Sequence, residues 1–190
     1  MKILLMLLIL ASELCGETFI FADSYRTVKK SSAFQTQDVW AQQDLNKSVG
    51  AFGWAQYGKA YRQAYGGLYV RPTKWLQVGA AGGVEQTRKD ARLGTFASAS
   101  RGKFFAIAIY ENFGATGYWY LTLTDVAVWK RVSVGTHSQA FVGHGPRTDI
   151  KLGKIGKWTP SFRLATTWDK QSGTRPNVIV GLRFTYFKGD

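Results

Sequence analysis

The stretch Asn177-Val178-Ile179-Val180-Gly181-Leu182-Arg183-Phe184-Thr185-Tyr186-Phe187 lies near the end of a 190-residue chain and alternates with period two. Val178, Val180, Leu182, Phe184 and Tyr186 share one face, and Ile179, Gly181, Arg183, Thr185 and Phe187 share the other. Successive strand side chains point to opposite sides of a sheet, so this is an apolar wall backed by an arginine. A strand that crosses a bilayer as part of a barrel has that requirement, with acyl chains on one side and a polar lumen on the other.

The same alternation recurs upstream. Trp158 to Asp169 sets Phe162, Leu164, Thr166 and Trp168 against Ser161, Arg163, Ala165 and Thr167, and Val132 to Gly143 sets Val132, Val134, Ala140 and Val142 against Gly135, His137, Gln139 and Phe141. Tyr118 to Trp129 groups Trp119, Leu121, Leu123 and Ala127, with Asp125 on that apolar face as the mark of a bulge or of a strand end outside the lipid. Thr95 to Asn112 reads as one long strand with an apolar register at Phe105, Ile107 and Ile109. In Trp75 to Thr87, Leu76, Val78 and Val84 oppose Gln77, Gly79, Gly83 and Glu85, and Ser48 to Tyr57 and Ala60 to Arg71 flank a Gly58-Lys59 turn. Apart from Thr95 to Asn112, which would protrude beyond the membrane, each segment is near the ~9–11 residues that cross a bilayer at a tilt. The expected fold is an all-β, antiparallel, up-and-down transmembrane β-barrel of eight strands. Ten is the alternative, with Arg147 to Gly153 as a ninth strand and the region around Trp40 as a tenth.

The amino terminus has the layout of a secretory signal, with Lys2 followed by an apolar core from Ile3 to Leu10 and a small residue, Ala22, at the expected cut. That divides the chain into a signal peptide (1–22), a polar periplasmic lead-in (23–47) and a barrel domain (48–190). Cleavage there removes Cys15, so neither a disulfide nor a thiolate metal site is expected. Gly is abundant at 21 residues, aromatics reach 15% and Pro is scarce at 4. Mean hydropathy is −0.15, as expected where apolar residues are hidden by alternation. The formal charge is +13, which draws a protein to anions. Export argues against nucleic acid and points to lipopolysaccharide phosphate.

The closing stretch resembles the carboxy-terminal strand of bacterial outer-membrane barrels, although Lys188-Gly189-Asp190 follow where that family ends on its terminal aromatic. The resemblance implies localisation in the bacterial outer membrane, insertion by the assembly machinery that reads such strands, and an architecture of the OmpA/OmpX type.

The inward register gathers Gln63, Gln77, Glu85, His137, Gln139, Arg163, Asp169 and Arg183 as a lumen polar network. Eight strands enclose only enough room for side chains, and charges buried there need partners. Glu85 is therefore expected to pair with Arg163 or Arg183. Arg88, Lys89, Arg92, Lys170 and Arg175 are expected in loops that contact lipopolysaccharide, giving a structural or interaction role. A lipid A-modifying enzyme, deacylase or acyltransferase, is the alternative, with His137 its catalytic candidate. His137 and Ser138 are adjacent and face opposite ways in a strand, so a serine partner would come from a neighbouring strand. A second alternative, a soluble periplasmic barrel carrying an apolar ligand, requires Val178, Val180 and Leu182 to face inward. No cofactor or metal is expected, since His137 and His144 alone make no ligand set. The glycines of Gly79 to Gly83 read as strand positions that let neighbouring groups approach.

Overall fold

The structure, a computed structural model, describes residues 17–29, 32–59, 62–86, 90–112, 117–169 and 176–188. Among these residues it is all-β, antiparallel and up-and-down, and it contains twelve strands rather than eight or ten. They run β1 (Thr18–Val28), β2 (Ala33–Asp44), β3 (Val49–Gly58), β4 (Arg62–Thr73), β5 (Leu76–Glu85), β6 (Asp90–Arg101), β7 (Phe104–Asn112), β8 (Trp119–Ala127), β9 (Val132–Gln139), β10 (Gly143–Lys151), β11 (Trp158–Thr167) and β12 (Asn177–Lys188). Each pairs with the next in sequence, and β1 pairs with β12 to close the barrel. The even number brings Glu17 and Lys188 to one end, called here the terminal rim. The turns after β1, β3, β5, β7, β9 and β11 lie at the opposite, far rim.

Four strands account for the difference. β1 and β2 occupy residues expected to be a signal end and a polar lead-in. Their outward positions include Ser24, Arg26, Gln35 and Gln37, with Gln35 Nε2 donating to Ser24 Oγ at 3.1 Å, so the apolar alternation that marks the other strands is missing there. A cut after Ala22 would sever β1. The long segment from Thr95 splits at Gly102, whose φ of +61° permits a tight turn that an L side chain resists. Finally, β10 starts within the segment read as loop. The turn before it is Ala140-Phe141-Val142, which has no Gly, Asn or Pro, and Phe141 itself takes φ 65°. Turn chemistry could not reveal it. His144 to Arg147 is part of that strand, which the ten-strand alternative began only at Arg147.

The closing strand has the faces expected for it. Ile179 is fully buried while Val180 and Leu182 are 37% and 42% exposed. That excludes the carrier arrangement in which the valines and leucine line the interior. Exposed aromatics cluster near both ends of the wall: Trp75, Phe104 and Trp129 at the terminal rim, Tyr57, Tyr110 and Trp168 at the far rim. Such belts suit the level of lipid headgroups.

The register of β7 and β8 reverses one expectation. Phe105, Ile107 and Ile109 pair with Asp125, Leu123 and Leu121, and this whole set faces the lumen rather than lipid. Ile107, Ile109 and Leu123 join Trp40, Phe52, Trp54, Tyr65, Tyr69, Ala81 and Phe96 in a buried cluster. Trp40, Phe52 and Phe96 form its centre, with ring centroids 4.7–5.0 Å apart. Trp54 packs on Trp119, four strands beyond its neighbour, at 5.2 Å. One side of the barrel interior is thus an aromatic core, each ring pair contributing roughly 0.5–1.5 kcal/mol beyond its buried area.

Inward glycines make room for these rings. A Cβ on Gly83 would stand 2.5 Å from Tyr65 Cδ1 and 2.4 Å from the Ala64 carbonyl, and one on Gly79 would stand 2.3 Å from Phe96 Cε1. Gly83→Val is therefore expected to displace Tyr65 and lower stability by about 1–3 kcal/mol, and Trp40→Ala by about 3–5 kcal/mol. Denaturant midpoints in detergent or lipid vesicles check both, with Leu68→Val on the outward face as the near-neutral control.

Candidate functional site

Three polar groupings stand on the inner wall at different heights. At the far rim, Glu85 on β5, Arg92 on β6 and Glu111 on β7 form a buried knot. Arg92 pairs with Glu85 through Nη2 and with Glu111 at 3.2 Å through Nη1. Tyr65 donates its hydroxyl to Glu111 at 2.6 Å, and Gln63 Nε2 donates to Gln56 Oε1 at 3.0 Å and to Glu111 Oε1 at 3.4 Å. Arg92 is thereby held in the lumen and not in a lipopolysaccharide-facing loop. The pairing expected between Glu85 and Arg163 or Arg183 is also replaced, since Glu85 lies across the barrel from both and takes Arg92, seven residues away over one hairpin.

At mid-height the wall from β8 to β1 carries six charges of alternating sign. Asp125 meets Arg147 at 3.2 Å, Arg147 meets Asp149 at 2.5 Å, and Asp149 meets Arg163 at 3.2 Å. Arg163 then reaches Asp23 at 3.0 Å. Arg183 completes the series by gripping both oxygens of Asp23 at 2.6 Å, through Nε and Nη2. Asp125 is thus a lumen residue with a partner, not a bulge or a strand end outside the lipid. Asp23 and Arg183 sit directly opposite across the β1–β12 seam. The guanidinium of Arg183 also lies over the Phe21 ring, 4.4 Å from its centroid.

Near the terminal rim, Asp44 accepts from the Tyr69 hydroxyl and pairs with Arg71. Gln77 lies beside them, its amide accepting from Arg71 Nε at 3.0 Å and donating to Ser98 at 3.3 Å in the orientation that satisfies both groups.

Of the residues expected to form the polar interior, Gln63, Gln77, Glu85, His137, Gln139, Arg163 and Arg183 face the lumen but fall in different groups. Asp169 lies beyond β11 at the far rim, 3.4 Å from Lys29 and 3.2 Å from Asn177 Nδ2. Arg88, Lys89, Lys170 and Arg175 lie outside the described residues. Sequence reasoning missed Asp23, Asp38 and Asp44, which fell in the supposed lead-in, and Arg147 and Asp149, whose segment was a strand only in the ten-strand alternative. Alternation gave their neighbours away; no local signal marked these.

His137 is 2% exposed and its Nε2 lies 3.0 Å from Gln139 Oε1. Among the described residues no serine hydroxyl is bonded to it, so the nucleophile–base contact of an acyl-transfer site is not assembled. No group of three or more potential metal-ligating side chains occurs among the described residues.

Among the described residues, the interior cavities reach one end, the terminal rim. A cavity of about 1070 Å³ lies between Trp40, Arg71, Gln77 and Phe105 and reaches the terminal-rim turns at Lys47 and Lys74. A second, of about 380 Å³, runs along the charged wall to Gly102, Lys103 and Lys151 on the same rim. At the far rim, among the described residues, Thr27, Thr36, Glu111 and Thr167 are fully buried.

A closed, twelve-stranded, up-and-down barrel with an apolar exterior and a charged interior is the architecture of outer-membrane β-barrel proteins. Solved structures of that class are similar to it. The KdgM porin superimposes with a TM-score of 0.55 at 9% identity, covering 86% of this chain and 98% of the porin. The Acinetobacter baumannii outer membrane protein Omp33 gives 0.47 at 12% identity over 90% and 96% of the two chains. The translocator domain of the autotransporter NalP from Neisseria meningitidis gives 0.43 at 10% over 97% and 95%. At these identities the likeness is one of fold. No protein-family model matches the chain, and no curated protein matches it in sequence.

Asp23 is the shared counter-ion of two buried arginines. Asp23→Asn is expected to cost about 3–5 kcal/mol by stranding them, whereas Asp169→Asn, at a partly exposed rim pair, is expected to cost about 1 kcal/mol or less. Unfolding midpoints of the two variants, measured side by side, check the difference.

Proposed function

We propose that this protein is an integral outer-membrane barrel that is sealed at one end and so acts as a lipid-embedded scaffold with an inner vestibule, not as an open diffusion pore. The observation that carries the reading is the burial of the interior at the far rim, where Thr27, Thr36, Glu111 and Thr167 have no exposed surface. Twelve strands enclose a wider interior than eight, and here the extra width is taken up by the aromatic core and the ion pairs. An export signal ending before Thr18 would deliver β1 intact to the assembly machinery that inserts such barrels. With Glu17 and Lys188 on one rim, that rim faces the periplasm and the far rim faces outward, the orientation of bacterial barrels with short periplasmic turns.

Lipopolysaccharide remains the partner best suited to the far rim. Arg26 and Arg62 are exposed on the outward face there, with Arg62 lying over Tyr57 at 4.8 Å from the ring centroid. Cations at this level meet the phosphates of the outer leaflet, in an attraction that salt screens.

Two measurements test the reading. The protein should fractionate with outer membranes and migrate differently on gels before and after boiling, and in planar bilayers it should show no steady conductance. A stable large-conductance channel would refute the sealed-barrel reading. Replacing Arg26 and Arg62 together with Gln should weaken lipopolysaccharide binding several-fold at low salt and much less at high salt, and equal binding would remove the headgroup role.

A further inference from the structure

The charged wall is incompletely satisfied. Arg163 spends Nε on Asp149 and Nη1 on Asp23, and Arg147 uses Nε and Nη2 on Asp149 and Asp125. Arg163 Nη2 and Arg147 Nη1 are buried without a hydrogen-bond partner among the described residues, as is Arg147 Nε, whose contact with Asp149 is an ion pair without hydrogen-bond geometry. Their side chains are only 4% and 1% exposed. Leaving a buried donor unmade is costly, and more so when it is charged. Both arginines line the same 380 Å³ cavity, along with Ser133 and Ser161.

Asp38 Oδ1, Asp125 Oδ1 and Asp149 Oδ2 are buried without a hydrogen-bond partner too. Yet none of them is placed to accept from Arg147 Nη1 or Arg163 Nη2, so an acceptor for those two nitrogens has to come from outside. Charge favours an anion. The cavity is lined by Arg147, Arg163, Arg183, Lys103 and Lys151 against Asp23, Asp38, Asp125 and Asp149. Lys103 and Lys151, both exposed, stand at its mouth on the terminal rim. Low-dielectric walls with cations at the entrance concentrate anions inside. Phe21, Phe105 and Leu121 on the facing side offer an apolar surface to the body of the ligand.

We propose that this cavity binds a small oxyanion, a carboxylate or a phosphate, which enters past Lys103 and Lys151 and is seated on Arg147 Nη1 and Arg163 Nη2, with Ser133 and Ser161 as auxiliary donors. The geometry of the cavity carries this, and neither membrane location nor the closure of the far rim enters into it. The site therefore survives or fails independently of the sealed-barrel reading.

The test is calorimetric titration of the full chain, purified in non-ionic detergent, with inorganic phosphate and separately with benzoate, in chloride buffer of constant ionic strength. Saturable one-to-one binding of at least one probe is expected, and which one binds tells a phosphate site from a carboxylate site. Arg163→Lys keeps a cation beside Asp23 but removes the second nitrogen, and should weaken binding by about tenfold or more. Lys103→Gln with Lys151→Gln, at exposed positions that the barrel does not depend on, should weaken it several-fold and flatten its salt dependence. Heat-modifiable migration reports whether each variant is folded, and if Arg163→Lys is not, the lysine pair decides. Absence of saturable binding to the folded wild-type chain overturns the proposal, as does unchanged affinity in the folded variants.

Discussion

Closure of the barrel between its first and last strands is the constraint on which everything else rests, and Asp23 is where the side chains enforce it. An antiparallel sheet has two edges, and in a bilayer an open edge leaves backbone groups without partners at several kcal/mol each. Pairing β1 with β12 satisfies them. It also carries Asp23 to a position directly opposite Arg183 and within reach of Arg163. The backbone register and the ion pairs select the same alignment. A slip of one residue would turn Asp23 toward lipid and leave two arginines buried alone.

The interior is divided by chemistry into two sides. From β2 to β8 it is filled mainly by aromatic and aliphatic groups, which pack without directional demands. From β8 around to β1 it is filled by charges, which are stable as an alternating series because Asp149 and Asp23 each lie between two arginines. The glycines of β5 connect the two requirements, since without Cβ atoms at Gly79 and Gly83 the rings of Phe96 and Tyr65 could not lie close to the wall. Tyr65 in turn delivers its hydroxyl to Glu111 at the far rim. Packing and polar closure are thus parts of one arrangement. It fills the far half of the barrel and leaves the terminal half hollow.

Much of this was legible from alternation alone. The faces of β12, β11 and β5 are those read from the sequence, because each puts polar or small residues on one side and larger apolar residues on the other. Where the lumen is itself apolar, the same rule misleads: Phe105, Ile107, Ile109, Leu121 and Leu123 look like a lipid-facing row and instead pack inside. Where outward positions are polar, as at Ser24, Arg26, Gln35 and Gln37, the rule finds no strand. Gly102 was a turn signal present in the sequence and passed over, while Phe141 in a left-handed turn gave none.

What the sequence determined by itself is the class: an all-β chain of short alternating strands, apolar outside, with arginines such as Arg163 and Arg183 turned inward. The number of strands, the partners of those arginines and the hollow beside them were decided only by tertiary structure. Period-two alternation is a local property that tells which side of a sheet a residue occupies. Which residues then face each other across the lumen depends on how many strands close the ring and at what register, and these are fixed by pairings between residues as far apart as Asp23 and Arg183.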